Sequence, residues 1–222
     1  MNRQPQEAEN PPLAQPAGTV FVVDDDEQVR RSIDQLVRSV GLNVVAFASA
    51  DKFLKSVPAD AAGCLVTDVR MPGMDGLDLQ RGLSESGFSL PVIVITGYAE
   101  VPMAVQALKA GAFDFIQKPF RPQALVEVIQ RAIESDNQRR ERQRQVREIR
   151  ARLARLSPRE SEVLELLVSG LTTKRISAHL NISLTTVDFH RNNILGKMGV
   201  DNLVQLTRAV NLCELAGGEP LR

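Results

Sequence analysis

Short apolar runs alternate with helix-patterned segments through the first half of the chain. The runs are rich in β-branched residues and cover Thr19–Val23, Asn43–Phe47, Cys64–Thr67, Pro91–Ile95 and Phe113–Ile116. Nearly continuous apolar strands that alternate with helices are typical of a parallel sheet covered by helices on both faces. The pattern therefore predicts a doubly wound α/β domain with five parallel strands.

The segments between the runs carry apolar residues at helical spacing. In Gln28–Val40 five apolar residues share one face, namely Val29, Ile33, Leu36, Val37 and Val40. Similar patterns over Val101–Ala110 and Pro122–Ile133 predict two later helices. Because ligands of a doubly wound domain bind beyond the carboxyl ends of its strands, we look for functional residues at those ends.

The pattern changes after residue 133. Ser135–Arg155 is rich in Arg, Gln and Glu, and apolar residues recur at intervals of three and four at Val146, Ile149, Leu153 and Leu156. This spacing fits a short coiled-coil seam, and it also fits a solvated helix with one apolar stripe. Every pattern after residue 157 is helical, and its turn signals predict four short helices.

Four segments follow from these changes. Residues 1–18 are polar and proline-rich, which is typical of a disordered tail, and residues 19–133 form the α/β domain. Residues 134–156 form a helical linker, and residues 157–222 form an all-α domain. The N-terminus lacks the apolar core of a signal peptide, and no apolar run approaches the roughly 18–20 residues of a membrane span. We therefore expect a cytoplasmic protein with no membrane partner.

Net charge and cysteine content limit which binding partners and sites the sequence can indicate by composition alone. The chain has no net charge, and residues 157–222 carry seven basic and seven acidic side chains. A strongly basic domain would indicate nucleic acid by itself, so here a DNA-binding prediction must rest on a motif. Cys64 and Cys213 lie far apart in unrelated patterns, which favours neither a disulfide framework nor a zinc site.

Acidic residues directly follow two of the predicted strands. Asp24, Asp25 and Asp26 come after the first strand, and Asp68 comes after the third. Clustered carboxylates raise each other's pKa and need a cation. A site of few oxygen ligands with room for water suits Mg²⁺, which also binds phosphate. Asp26 has an alternative role as the cap of the next helix.

A hydroxyl and a lysine follow the last two strands. Thr96 ends the fourth strand and Lys118 follows the fifth. Opposite a carboxylate–metal cluster, they supply the hydrogen-bond donor and the positive charge that a phosphoryl group needs. Each residue alone has a structural explanation, as a turn hydroxyl or a surface lysine. Their placement at successive strand ends favours the functional interpretation.

Four motifs occur here in a characteristic order: VFVVDDDE, LVTDVRMPGMDG, VITG and DFIQKPF. They resemble the receiver domain of two-component response regulators, over about residues 19–133. The resemblance implies a flavodoxin-like sheet with strand order 2-1-3-4-5. It also implies that a sensor histidine kinase phosphorylates Asp68.

The same resemblance assigns roles to the other residues at the strand ends. The Mg²⁺ ligands would be Asp24, Asp25, Asp68 and the main-chain carbonyl of Arg70. Thr96 would bind a phosphoryl oxygen and move on activation, and Lys118 would pair with the phosphate. Phe115 occupies the position of the family's aromatic switch. Because it lacks a hydroxyl, it either swings without a hydrogen bond or simply packs.

The stretch GYAEVPMAVQALKAGAFDFIQKPF resembles the FixJ-type subfamily. The resemblance implies that phosphorylation pairs two copies through the surface from Val101 to Phe115. Ordinary helix packing is the alternative explanation for the apolar residues there.

A second set of motifs follows residue 156. Ser157, Pro158 and Glu160 form a helix start with a capping box. Thr172–Leu180 and Ser183–Met198 predict two helices joined by a tight connection, which is helix-turn-helix geometry. Val187, Ile194 and Met198 would face inward.

This block resembles the LuxR/NarL/FixJ type of DNA-binding domain over about residues 153–215. The resemblance implies that Lys174 and Lys197 contact phosphates of double-stranded promoter DNA. The DNA-facing part of the recognition helix would contain Thr186, Asp188, Phe189, His190, Arg191 and Asn192. Asp188 either accepts from a cytosine amino group or orients Arg191, and His190 either contacts DNA or packs.

The leading hypothesis is a phosphorylation-controlled transcription factor, with RNA polymerase as a candidate further partner. A phosphorelay protein whose helical tail binds only protein is a second hypothesis, which the helix-turn-helix motif disfavours. A hydrolytic enzyme is a third, which is disfavoured because His179 and His190, the two histidines, lie in the helical half. We therefore expect no enzyme beyond the receiver's own phosphoryl transfer and dephosphorylation.

Overall fold

The computed structural model describes residues 18–97, 108–109 and 111–217. The chain divides into two compact units between Arg139 and Arg140. The expected tail at residues 1–17 and most of the expected helix and pairing surface from Val101 onward lie outside the described residues.

The first unit contains a five-stranded parallel sheet. Its strands are β1 (Thr19–Val23), β2 (Asn43–Phe47), β3 (Gly63–Asp68), β4 (Val92–Thr96) and β5 (Asp114–Gln117). They lie in the order 2-1-3-4-5, and every neighbouring pair is parallel. This arrangement confirms the doubly wound prediction, and each bound differs from the predicted one by at most one residue.

Helices cover both faces of the sheet. They are α1 (Glu27–Ser39), α2 (Ala50–Ser56), α3 (Gly76–Glu85) and the first part of α4 (Pro122–Leu153). The predicted apolar face of α1 is correct at Ile33 and Val37, which are buried, and wrong at Val40. Val40 is 38 % exposed because α1 ends at Ser39 and Val40 is its C-cap.

Alternate residues of β1 enter two separate cores, because successive side chains of a strand point to opposite faces. Val20 and Val22 pack in one core with residues of α1 and α4. Phe21 and Val23 pack in the other with residues of α2 and α3. Burial on both faces explains why the strands are almost continuously apolar.

The second unit contains the last part of α4 and the four predicted helices. These are α5 (Pro158–Val168), α6 (Thr173–Leu180), α7 (Leu184–Met198) and α8 (Leu203–Leu215). Their N-caps are Ser157, Thr172, Ser183 and Asn202, and each cap side chain accepts a backbone N–H. An N-cap of this kind stabilises a helix by about 1 kcal/mol.

The helix predicted over Pro122–Ile133 and the helical linker predicted over residues 134–156 form one continuous helix, α4, which ends at Leu153. Val146 is 5 % exposed, and Ile149, Leu153 and Leu156 pack against the core of the second unit. The apolar stripe that suggested a coiled-coil seam is thus covered within the unit. No helix in the described part of the chain is both long enough and apolar enough to cross a bilayer.

Candidate functional site

The carboxyl ends of β1 and β3 bring two aspartates together. Val23 lies opposite Thr67 in the sheet, so Asp24 and Asp68, the next residues along, are neighbours. Asp24 is 2 % exposed, and the Asp68 side chain is 13 % exposed. The sequence prediction that these carboxylates meet at one edge is consistent with this register.

Lys118 joins the two carboxylates. Its main-chain N–H donates to the carbonyl of Thr96 at 2.7 Å, which places it directly beyond β5. Its Nζ lies 2.6 Å from Oδ1 of Asp68 and 3.5 Å from Oδ2 of Asp24. Short charge-assisted hydrogen bonds of this kind are stronger than neutral ones. Lys118 is therefore the counter-ion of the acidic pair.

Electrostatics at this edge depend on burial. Burial raises the pKa of Asp24, and the negative charge of Asp68 adds to the shift, while the Asp26 N–H and Lys118 oppose it. Burial alone would lower the pKa of Lys118, but its hydrogen bond to Asp68 and the charges of both aspartates outweigh burial and raise it. Lys118 therefore remains charged, whereas the ionised form of Asp24 lacks full compensation.

Asp24 is held at both its side chain and its main chain. Its Oδ1 accepts the N–H of Asp26 at 2.8 Å, and its carbonyl accepts from Nη1 of Arg30 at 2.7 Å. Asp26 itself caps α1, with its carboxylate 2.7 Å from the N–H of Gln28. Sequence reasoning missed Arg30, whose position in the first turns of α1 was the available signal.

The loop after β3 also shapes the site. The N–H of Arg70 donates to Oδ2 of Asp68 at 2.9 Å, and Arg70 is exposed. A Cβ on Gly76 would lie 2.1 Å from the carbonyl oxygen of Asp68, so no side chain fits there without backbone movement. Gly76 was missed, although an Asp-Gly pair before a helix pattern is a turn signal.

Thr96 and Phe115 lie on the neighbouring strands. Thr96 is fully buried, and its hydroxyl lies 3.3 Å from the carbonyl of Gly97. Phe115 is opposite Val94 in the sheet and is partly buried against the core that contains α2 and α3. Phe115 is packed in this structure, and its role as a switch stays a prediction.

The donor set fits a hard divalent cation. Asp24 and Asp68 present carboxylates to one lysine, and exposed Asp25 adjoins them. A buried and a partly buried carboxylate that share one lysine keep a net negative charge, which a cation would neutralise. Within the described ranges no group of three His, Cys, Asp or Glu side chains is already arranged around one point. Because Lys118 bonds to an oxygen of each aspartate, a cation at this position would compete with Lys118 for these oxygens.

The helix-turn-helix of the second unit is α6 and α7. Asn181 connects them in the left-handed conformation (φ 53°), which Asn adopts more readily than most residues. Val187, Ile194 and Met198 are at most 1 % exposed, which confirms the predicted inner face of α7. The burial of these residues orients the rest of α7.

The predicted DNA-facing residues differ in accessibility. Three side chains of α7 and one of α6 are exposed: Asp188, Phe189, Asn192 and Lys174. Three are half-buried: Thr186, His190 and Arg191. Thr186 is engaged at the helix start, since its N–H donates to Oγ of the N-cap Ser183 at 3.0 Å and its Oγ1 lies 2.8 Å from the same oxygen. The rings of Phe189 and His190 meet edge-on with centroids 5.8 Å apart.

Lys197 is engaged inside the protein. Its Nζ lies 2.5 Å from Oε2 of Glu160, which is 4 % exposed. The same oxygen accepts the N–H of Ser157 at 2.7 Å, which completes the predicted capping box. The bond from Lys197 holds the pKa of Glu160 below its usual range, with the Ser157 N–H as the second cause. A phosphate contact of Lys197 would have to share it with Glu160.

Two protein-family models match the chain. One is the response regulator receiver domain, at residues 20–130, and the other is the luxR family of bacterial regulatory proteins, at residues 154–210. Nodulation protein W of Bradyrhizobium diazoefficiens is 46 % identical over 189 residues, which are 85 % of this chain and 83 % of that protein. Transcriptional regulatory protein FixJ of Rhizobium meliloti is 44 % identical over 200 residues, 90 % of this chain and 96 % of that protein.

Among solved structures, a low-resolution structure of response regulator StyR has a TM-score of 0.78 and 40 % identity, and covers 87 % of this chain and 98 % of its own. Both halves of the sequence prediction are therefore matched in the predicted order. The chain is a two-component response regulator and transcription regulator of the FixJ type, with a receiver domain and a LuxR-type DNA-binding domain.

Proposed function

We propose that Asp68 is the residue that a sensor histidine kinase phosphorylates. An oxygen of the Asp68 carboxylate attacks the phosphorus of the kinase's phosphohistidine, a P–O bond forms and the P–N bond breaks. The histidine nitrogen leaves with the bonding electrons and takes a proton from water. The observation that carries this proposal is the pairing of Asp68 and Asp24 with one lysine at the carboxyl edge of the sheet.

Each neighbour of Asp68 has a defined task in this proposal. Lys118, already 2.6 Å from Asp68, supplies positive charge to the transferred group, and the Thr96 hydroxyl supplies a hydrogen bond. Arg30 fixes the main chain of Asp24, and the Arg70 N–H fixes one oxygen of Asp68. These contacts hold the reacting carboxylate in one orientation.

Receiver domains generally bind Mg²⁺ at the phosphorylation site. Here the proposed ligands are Asp24, Asp25, Asp68 and the carbonyl of Arg70, and a bound Mg²⁺ would neutralise charge on the phosphoryl oxygens. The raised pKa of buried Asp24 supports this assignment, because a cation would compensate its ionised form.

LuxR-type domains bind DNA, and we propose that α7 enters the major groove of promoter DNA. Asp188, Arg191 and Asn192 would contact base edges, with Thr186, Phe189 and His190 beside them, and Lys174 and Lys197 would contact phosphates. Two copies, paired through the surface from Val101 to Phe115, would bind two half-sites, and RNA polymerase is a candidate further partner. This function would place the protein in the bacterial cytoplasm, where promoter DNA lies.

Phosphorylation at Asp68 can be tested with acetyl phosphate and Mg²⁺, with the phosphorylated fraction measured by intact-protein mass. Asp68→Asn should show no added mass of a phosphoryl group, whereas Asp51→Asn, which alters an exposed carboxylate of α2, should be labelled like the wild type. Labelling of a folded Asp68→Asn protein would contradict the assignment.

A further inference from the structure

Phe189 is exposed in a position that protein packing does not explain. All eight phenylalanines lie in the described part of the chain, and Phe189 is the only one that is exposed, at 61 %. It lies in the N-terminal half of α7, between exposed Asp188 and half-buried His190. Its side chain points away from the face on which Val187 and Ile194 are buried.

The surroundings of Phe189 do not form a broad apolar patch. Asp188 and Asn192, its neighbours on the outer surface of α7, are polar and exposed. Protein-binding surfaces that bury large apolar areas need contiguous apolar residues. The other exposed large apolar side chain of α7, Leu184, lies five residues earlier at the start of the helix, so it does not extend the surface of Phe189 into a patch. A single aromatic ring among polar side chains instead complements a partner whose surface is mostly polar and carries isolated apolar groups.

The major groove of DNA is such a surface. Base edges there present hydrogen-bond donors and acceptors, and the C5-methyl of thymine is the apolar group among them. A phenyl ring has no conventional hydrogen-bond donor or acceptor, so the methyl group is the feature of the groove that it matches best. The ring is also held in place, because it meets the partly buried His190 ring edge-on at 5.8 Å.

We propose that Phe189 reads the C5-methyl group of a pyrimidine in each operator half-site, which is thymine in unmodified DNA. This inference rests on the proposed entry of α7 into the major groove. It assigns Phe189 a specificity role that is separate from the polar contacts of Asp188 and Asn192. His190 acts as a positioning residue for the ring.

The test removes the methyl group from the DNA and the ring from the protein. An operator is selected from random sequences with full-length phosphorylated protein, and each thymine is then replaced by uracil, which lacks the methyl. Burial of one methyl group corresponds to about a four-fold change in Kd, or about 0.8 kcal/mol. For the wild type, we expect uracil to weaken binding by this factor at one position of each half-site. For Phe189→Ala, uracil at the same position should leave Kd unchanged.

Val204→Ala is the matched control, because Val204 is 62 % exposed but lies on α8. It should keep the wild-type sensitivity to uracil. At the sensitive position, 5-methylcytosine should bind the wild type more tightly than cytosine, and Phe189→Ala should not distinguish them. Hydrogen exchange of α7 verifies that each variant is folded.

Two results would overturn the inference. One is a wild type indifferent to uracil at every thymine of its operator. The other is a Phe189→Ala protein that keeps the full wild-type sensitivity. Failure of the underlying proposal looks different, because Phe189→Ala and Asn192→Ala would then both bind the operator with unchanged affinity and selectivity.

Discussion

Glu160 caps α5 and also pairs with Lys197, for which we propose a contact with DNA phosphate. One carboxylate oxygen accepts both the N–H of Ser157 at 2.7 Å and the Nζ of Lys197 at 2.5 Å. Glu160→Ala removes both bonds. Glu160→Gln keeps an amide oxygen that can accept the Ser157 N–H, but it removes the negative charge opposite Lys197. The two variants therefore separate capping from ion pairing.

The expected loss of stability follows from these two bonds. A helix-cap hydrogen bond contributes about 1 kcal/mol. A hydrogen bond to a charged group contributes about 1.5–3 kcal/mol, and the lower end applies because the Lys197 side chain is 36 % exposed and can recover water. Glu160→Ala should therefore lower the free energy of unfolding of the second unit by about 2–3 kcal/mol, and Glu160→Gln by about 1–2 kcal/mol.

Hydrogen exchange measured by mass spectrometry can report each unit separately in the full-length chain. The slowest amides of α5 and α7 should lose protection in both Glu160 variants, while those of β1 and β3 serve as an internal reference. Glu162→Ala is the control on the same helix. Its exposed pair with Arg159 should be worth less than about 0.5 kcal/mol. If Glu160→Ala changes the stability no more than Glu162→Ala does, the buried pair is not a stabilising contact.

The pH dependence follows from the direction of the pKa shift. Lys197 and the Ser157 N–H lower the pKa of Glu160 in the folded unit, so its contribution is complete above the pKa of the unfolded chain. That contribution is lost as the pH falls through the lower folded pKa. Glu160→Gln should remove this part of the acid sensitivity. It should also free Lys197 for DNA phosphates, which would make the salt dependence of DNA binding steeper by about one unit.

Three further predictions concern the receiver. Gly76→Ala should lower the free energy of unfolding in urea by about 1–3 kcal/mol and slow labelling by acetyl phosphate, because the new Cβ would displace the Asp68 carbonyl. An unchanged labelling rate would show that the loop accommodates the Cβ without moving Asp68. Asp136→Ala should cost about 2–4 kcal/mol by the same assay, since this fully buried carboxylate accepts the Gly63 N–H at 2.9 Å and pairs with Arg139. Light scattering with beryllofluoride should show a doubled mass, and a monomer that still binds DNA fully would exclude phosphorylation-driven pairing.

The sheet and the residues at the carboxyl ends of its strands could be predicted because the sequence patterns that specify them are local. Five apolar runs fixed the strands to within one residue, and the residue after each strand is placed by the parallel geometry itself. Asp24, Asp68 and Lys118 are therefore positioned by where their strands end. The inner face of α7 was predictable for a similar reason, since helical periodicity alone selects Val187, Ile194 and Met198.

Contacts between residues distant in sequence could not be predicted in this way. Asp136 accepts a bond from Gly63, 73 residues earlier, and nothing in the local pattern distinguishes it from a solvated acid in a charged helix. Residues 134–156 were predicted to be helical, but their continuity with the preceding helix was not predicted, because the change in composition after residue 133 resembled a boundary. Lys197 was assigned by motif alone, whereas its partner Glu160 lies 37 residues away.

Two of the three lysines with a proposed role, Lys118 and Lys197, are paired with carboxylates of the protein, and this limits what each would contribute. Lys118 binds Asp68 and Lys197 binds Glu160, each through a short bond. A paired lysine adds to the binding free energy only the difference between the bond that the ligand provides and the bond to the carboxylate that it replaces. A phosphoryl or DNA phosphate oxygen would replace one anionic partner with another, so that difference is small for either lysine. Discrimination should therefore come from side chains that exchange water for a specific partner, which among the contacts proposed for α7 are the exposed Asp188, Phe189 and Asn192.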